Sequence, residues 1–439
     1  MGLRGYRMLE SLLEAGYPDR FAKPLERGHG QFPGTYIFSF LEGSIARCAR
    51  EGDFGATAEA IDRSLDELLA VLGSPSYTAA CCRHVCHLTT ESGGEVRIGD
   101  VTVLPDPPGF GGLIERIQKE IPGAARAWNG EDPRPYVPPH ALLIVNETTE
   151  DPRSYEICES LSRRLDHFML VARLLTAGTV PGTYEVSGTT TLVSCMNPMM
   201  RHFEKQSFVQ LVRRTVRLSG DEGPAFTALS KLITSAEVPD KGMVTTSFGI
   251  AFSRFNGSYG GIWYENLVDL ATALEAILIG DVADNRGLTR RLKNRAAALL
   301  ATDEDPQHVI SADVGVLYNL RSRIIHGGQL TETALREEIG KISTVPADDA
   351  EHSLGIALGR AVDRMRDLVR RAILARLCLA AKPDSLWPFV EQAPVDEIFA
   401  LDERREAWRS HWHAALDALG VGCAGNKASQ PAHFLERDI

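Results

Sequence analysis

The stretch LYNLRSRIIHGG, residues 317–328, sets Arg321, Arg323 and His326 into an apolar helical run that ends on two glycines. A helix that only fills a core has little use for three such side chains so close together. With Asp313 as N-cap and Gly327 as a left-handed stop, the segment is expected to be a helix whose core stripe is Leu317, Leu320 and Ile324. At about 100° per residue, Arg321 and His326 stand roughly 140° apart around the axis. Asn319, Arg323 and His326, spaced i, i+4 and i+7, share a face instead. Three readings stay open on the residues alone. The charges are a solvated edge, or His326 caps a last turn whose dipole favours its protonated form, or an arginine and a histidine do catalysis.

Outward from this stretch, the chain from residue 201 reads as nearly all helix. FVQLVRRTVRL (208–218), AFTALSKLITSA (225–236), YENLVDLATALEAILIG (264–280), TRRLKNRAAALLA (289–301) and LGIALGRAVDRMRDLVRRAILARLCLAAK (354–382) follow with mostly short breaks. In the third of these Leu267, Leu270, Ala271, Leu274 and Leu278 form one apolar stripe, and Gly280 ends it. The last is apolar at Ile356, Val362, Leu368, Val369, Ile373 and Leu377, a pattern that suits a buried bundle helix. Past Pro383 come a WPF turn, a short helix around Trp408 and Trp412, and a polar tail.

Residues 1–200 mix the two periods. GATAEAIDRSLDELLAVLG places Ile61, Leu65, Leu68 and Leu69 at helical spacing before Gly73. EVRIGDVTVLPDPPG holds two short β-type runs around a Gly-Asp turn, ALLIVN is an apolar strand after a proline-rich loop, and TYEVSGTTTLVSC is again strand-like. SYEICESLSRRLDHFMLVARLLTAG returns to helix. The expectation is an α+β chain with three parts. Residues 1–200 form a mixed domain in a sensing or regulatory role, 201–382 an all-α bundle, and 383–439 a helical extension with a tail. No Walker loop, no GxGxxG after a strand and no HExxH occurs, so the first part names no ligand.

A length of 439 residues, 44% hydrophobic and 24% charged, is that of a multi-domain globular protein. No apolar run reaches the roughly 18 residues of a membrane helix, and the first residues lack the apolar core of a signal peptide. A cytoplasmic protein with no membrane partner is the expectation. The net charge of −11 argues against a protein coated by nucleic acid. Two local stretches are nevertheless basic: NRGLTRRLKNR (285–295), with Arg290, Arg291 and Lys293, and the helix with Arg360, Arg364, Arg366, Arg370, Arg371 and Arg376. They fit a small RNA footprint or ordinary solvated helix faces. Eight cysteines over this length make no disulfide framework. In CCRHVCH, Cys82, His84 and Cys86 offer zinc its usual ligand types, yet no second ligand pair follows at regular spacing. Alternation of Cys82, His84, Cys86 and Leu88 along one face of a strand is the stronger reading.

LRSRIIHGG closely resembles the R-x4–6-H motif of HEPN domains, and the order of the surrounding pieces resembles their Apea-like branch. Those pieces are FNGSYGGIWYENLVDLATALEAIL, TRRLKNRAAALL, VLYNLRSRIIHGG and a long closing helix, together roughly residues 205–380. The residue after the motif arginine is usually polar, often Asn or Asp; here it is Ser322. The resemblance implies a helical bundle that forms a homodimer, with motif residues Arg321 and His326 of both protomers facing one another. It implies a metal-independent endoribonuclease, without cofactor, of the kind found in toxin and anti-phage systems. It equally admits a non-catalytic dimerisation or nucleotide- and RNA-binding module.

The chemistry fits the residue types. Metal-free RNA cleavage needs a base for the 2′-OH, an acid for the leaving 5′ oxygen and a fixed cation on the phosphorane; histidine and a guanidinium supply these. Ser322 and Arg323 would hold phosphates or face solvent, and Asn319 would support the same face. Glu275, where the family pattern carries a glutamate, would orient a motif side chain or form a structural ion pair.

Overall fold

The computed structural model describes residues 3–17, 58–105, most of 116–121, 140–150, 155–176, 182–189, 199–202, 216–236, 246–282, 286–389 apart from 384, and 394–422, with single positions 37 and 180. Helices α1 (Leu3–Gly16) and α2 (Ala58–Gly73) precede strands β1 (Tyr77–Cys86), β2 (Leu88–Thr90), β3 (Val96–Ile98), β4 (Val101–Pro105) and β5 (His140–Thr149). Helix α3 (Tyr155–Thr176) leads to β6 (Gly182–Thr189), β7 (Met199–His202) and β8 (Val216–Leu218). Helices α4 (Gly223–Ala236), α5 (Ser247–Gly257), α6 (Trp263–Ile279), α7 (Leu288–Leu300) and α8 (Gln307–Ile325) follow. Next come α9 (Glu332–Ile339), α10 (Ala347–His352), α11 (Leu354–Ala380), α12 (Val395–Ala400) and α13 (Asp402–Ala418). The protein is α+β, a small antiparallel sheet in the N-terminal half beside many helices. Among the described residues no helix is long and apolar enough to cross a membrane.

The larger sheet has the order β3-β4-β5-β1-β6-β7, and every neighbouring pair is antiparallel. The Gly-Asp turn lies where the alternation puts it: Ile98 pairs with Val101, and Gly99 takes φ +63°, a conformation open to glycine at no steric cost. β1 is central and buried on both faces. Ala79, Cys81 and Val85 join the cluster under the helices, while Ala80 and Cys82 pack with Ile117, Ile121, Leu142, Ile144 and Val186 on the other side. The expected single face of Cys82, His84, Cys86 and Leu88 breaks at its end. His87 has φ +56°, the strand stops, and Leu88 joins the Cys81 cluster instead. Leu88–Thr90 then pairs in parallel with Val216–Leu218. The end of FVQLVRRTVRL is therefore a strand, not the expected helix, because it finds an edge to pair with far back in the chain. Residues 203–215, the proline-rich loop before β5 and the tail beyond 422 lie outside the described residues.

In α2, Leu68 is buried and Leu65 half-buried, but Leu69 is exposed, so the inner face runs to Leu72 rather than Leu69. The helix around Trp408 and Trp412 is seventeen residues long, not short, and packs on α7 and α11. Trp412 Nε1 donates to Leu299 O (3.3 Å), and Trp408 lies against Trp387 and Phe399. One continuous cluster extends from Ala79 in β1 through α3 and α6 to Val421, so sheet and helices share a core.

The basic helix α11 overturns the expectation of a charged surface. Arg364, Arg366, Arg370, Arg371 and Arg376 are all buried, and Arg360 is half-buried. A helix ends with carbonyls that have no partner of their own, and a buried end must find donors elsewhere. The arginines supply them. Arg370 Nη1 donates to Leu174 O at the end of α3 (3.1 Å), Arg371 Nη1 to Leu300 O at the end of α7 (3.0 Å), and Arg376 Nε to Ile277 O at the end of α6 (3.0 Å). Arg295 Nη1 and Arg409 Nε do the same for Leu278 O (2.8 Å) and Ala298 O (2.6 Å). A planar cation with five donors suits a site that needs both a hydrogen bond and a positive charge at the negative end of a dipole.

His84 of β1 is fully buried, its ring centroid 5.2 Å from that of His140. Burial, and then the neighbouring His140, hold it down to about 3. An unfolded histidine takes up its proton near 6.5, so the unfolded state binds more protons below that pH. Stability is present above 6.5 and lost as pH falls toward 3. From pH 7 to pH 5 the expected loss from this residue is about 2 kcal/mol. Urea midpoints at the two pH values in wild type and His84→Leu check this; identical pH dependence in the two proteins would exclude His84 as the source.

Candidate active site at the end of α8

Helix α8 is longer than the sequence implies. It starts at Gln307 with Pro306 as N-cap, and Asp313 lies inside it. Asp313 is not the cap because its carboxylate is taken by the protein interior. It accepts from Ser343 N (2.9 Å), Ser343 Oγ (2.6 Å) and Arg364 Nε (2.8 Å). The C-terminal end follows the sequence closely. Gly327 has φ +66°, its N–H donates to Ile324 O (3.2 Å), and Gly328 N–H reaches back to Arg323 O (2.8 Å). These are the two bonds of a Schellman stop, and they leave His326 as the C-cap residue. Leu317 and Leu320 are buried, with Ile324 packed against the core, as the stripe requires.

Arg321 leans away from the helix end toward α6. Its Nη2 lies 3.3 Å from Glu275 Oε2, and Glu275 Oε1 accepts from the hydroxyl of Tyr318. Arg321 and Glu275 are both about one-fifth exposed (21% and 22%), so the pair is partly accessible from solvent. The guanidinium also stands 5.4 Å from the Tyr318 ring centroid. Burial, then the hydrogen bond to Glu275, push Tyr318 up to about 12, so it remains a proton donor at neutral pH. Arg321 Nε is buried with no hydrogen-bond partner among the described residues. One long contact out of five N–H donors leaves this cation able to accept an oxyanion.

The imidazole of His326 is exposed and makes no hydrogen bond or ion pair among the described residues. Capping of the last turn is done by the backbone of Gly327 and Gly328, so the ring is not used for it. Arg323 Nη2 donates to Gln329 O (3.1 Å) across that turn, which makes it a brace of the stop rather than a partner of His326. Asn319 is exposed and Ser322 half-buried on the same helix. Arg321 and His326 are not brought together within one chain.

The weaker site residues scatter. Arg290 is exposed, Arg291 Nε lies 3.5 Å from Asp396 Oδ2, and the Lys293 side chain lies over Gly315 of α8, its Nζ 3.0 Å from where a Cβ would stand. Cys82, His84 and Cys86 are buried along β1, and burial pushes the Cys82 thiol well up, which disfavours the thiolate that zinc needs. No three His, Cys, Asp or Glu side chains among the described residues are grouped to hold a metal ion. Tyr318 was open to notice from its spacing, three residues before Arg321 and so on the same face, but in an apolar run it reads as core. Comparison with family models, with curated proteins and with solved structures finds no match to this chain.

Proposed function

We propose that the helical half is an Apea-like HEPN domain and that the protein is a metal-independent endoribonuclease effector. It acts as a homodimer in a toxin-type growth arrest or anti-phage response, with the sheet-bearing half receiving a phage or cellular trigger. The observation that carries this reading is the division of labour at the end of α8. Arg321 is anchored by Glu275 with donors to spare, while the His326 imidazole is presented to solvent with no structural duty. A purely structural helix end has no use for that combination.

In the proposed step His326 accepts the 2′-OH proton as the 2′ oxygen attacks phosphorus. The P–O5′ bond breaks, and the 5′ oxygen takes that proton back from the same His326, relayed through a water molecule. Arg321 holds the nonbridging oxygens as charge builds on them. The 2′-OH as nucleophile selects RNA over DNA. The products are a 2′,3′-cyclic phosphate and a 5′-hydroxyl. Purified protein incubated with transfer RNA or total RNA in EDTA is expected to leave those ends, read by end-specific ligation and phosphatase sensitivity. Fragments carrying 5′-phosphates, or cleavage that needs a divalent ion, would contradict the mechanism.

A further inference from the structure

Between the sheet-bearing half and the helices lies a cleft of about 770 Å³, away from Arg321 and His326. One wall is Arg83 of β1, Asp166 and Arg173 of α3, and Gly182 of β6; the other is the end of α5, the Gly260-Gly261 turn and the first turns of α6. Its size is that of a small-molecule site. Most of its charges are already satisfied by each other. Arg83 Nη1 lies 2.7 Å from Asp166 and its Nε 2.9 Å from Glu185, and Arg254 Nη1 lies 2.8 Å from Asp269. Glu265 reaches back to the N–H of Ile262 (3.4 Å) and so occupies the start of α6.

Arg173 is the exception. It is 7% exposed, and its donors go to neutral acceptors: Nε and Nη2 to Val180 O (3.1 and 2.7 Å) and Nη1 to Asn256 Oδ1 (2.7 Å). Its guanidinium lies 4.0 Å from the centroid of the Tyr259 ring, and no carboxylate is within ion-pair distance of it among the described residues. A buried cation whose carboxylate neighbour, Asp166, acts only from beyond ion-pair distance is costly, and an anion entering from the cleft would supply a direct partner. Arg173 keeps one N–H on each of Nη1 and Nη2, and a planar guanidinium can hold two oxygens of a phosphoryl group at once. Around it, Asp166, Asp269, Asn256 and Asn266 are acceptors suited to hydroxyl groups, and Tyr264, 40% exposed, offers a ring face at the rim.

We propose that this cleft binds a small hydroxyl-bearing phosphomonoester, its phosphoryl group at Arg173 and its hydroxyls on the acidic and amide side chains. Two sources share that chemistry, a sugar phosphate and a nucleoside monophosphate. The proposal rests on no property of Arg321 or His326. The wall helix α6 also carries Glu275, six residues beyond Asp269 and about 9 Å along the axis.

The test is calorimetric titration of the full chain, without RNA, with ribose 5-phosphate, the four nucleoside monophosphates and the unphosphorylated parent compounds. At least one phosphomonoester is expected to bind in the micromolar range and at least about tenfold more tightly than its parent. Ser253→Asp, an exposed change on the cleft wall, is expected to weaken binding at least tenfold without altering the melting curve, and Arg173→Met to abolish it. Tyr264→Ala separates the sources: a nucleotide loses about tenfold or more, a sugar phosphate little. No binding by any phosphomonoester below millimolar concentration, or binding indifferent to Ser253→Asp, overturns the proposal. Either result leaves cleavage in EDTA untouched as a question, and a protein inert toward RNA leaves this binding untouched.

Discussion

Arg321→Ala and His326→Ala are each expected to lower RNA cleavage in EDTA by about 10²- to 10⁴-fold, the range for loss of a general acid–base or of an oxyanion donor. Mixing the two inactive proteins is expected to restore activity. Within one chain the two side chains sit on different sides of α8, Arg321 against Glu275 and His326 in solvent. If a site takes its arginine from one protomer and its histidine from the other, a mixed dimer keeps one complete site and loses the second. After random exchange of subunits that amounts to roughly a quarter of wild-type activity, for a twofold dimer. Sites built within single chains would recover nothing. Arg323→Ala is the control, because its guanidinium is spent on Gln329 O and should change the rate by less than about tenfold. Melting curves of the variants separate lost chemistry from lost folding. Full activity in both single variants removes the site assignment, while two dead variants that fold, dimerise and fail to complement remove only its shared character.

What the sequence disclosed depended on how local the cause was. The stop of α8 at Gly327 follows from backbone conformation over a few residues, and so does the Gly99 turn. The apolar stripe of α6 was also legible, although Gly280 ends the helix for a reason other than a left-handed conformation. Its φ is −62°, and a Cβ there would lie 2.5 Å from Ala276 O and 3.0 Å from the Ser247 side chain. Asp313 was misread because a short carboxylate ahead of an apolar run looks like a cap until Arg364, 51 positions on, is known to claim it. The arginines of α11 were misread for the same reason. Spacing shows that they line a helix, but the carbonyls of Leu174, Ile277 and Leu300 that bury them come from three other elements. Of the candidate site, Glu275 was expected to orient a motif side chain or to form a structural ion pair, and it stands 3.3 Å from Arg321. The cleft at Arg173 had no signature, since its walls meet only after sheet and helices dock.

Those buried arginines lead to the second large effect. Arg364→Met is expected to destabilise the fold by about 3–5 kcal/mol, the usual result of removing one partner from a buried ion pair. The side chain is 7% exposed and reaches two carboxylates, forking onto Asp305 (2.8 Å to each oxygen) while its Nε meets Asp313 (2.8 Å). Asp305 keeps Arg371, but Asp313, 1% exposed, keeps only Ser343 and becomes a buried carboxylate without a cation. Arg360→Met, one turn earlier on α11 and 32% exposed against Asp349 (2.5 Å), should cost no more than about 1 kcal/mol. The gap between the two variants therefore measures burial rather than charge. The pH dependence has a definite sign. Burial raises Asp305, but the hydrogen bond from Arg364 and the charge of Arg371 outweigh it and hold its carboxyl below the ordinary range. Stability from that shift is present above the unfolded pKa near 3.8 and is lost as pH falls through the lower folded value. Arg364→Met removes the largest of the lowering causes, so the difference from wild type should shrink on acidification below about pH 4. Denaturant midpoints for the three proteins at pH 7 and pH 3.5 decide it. Equal costs for Arg364→Met and Arg360→Met, or a gap that widens in acid, would show that the network under α8 is not what holds its helix in place.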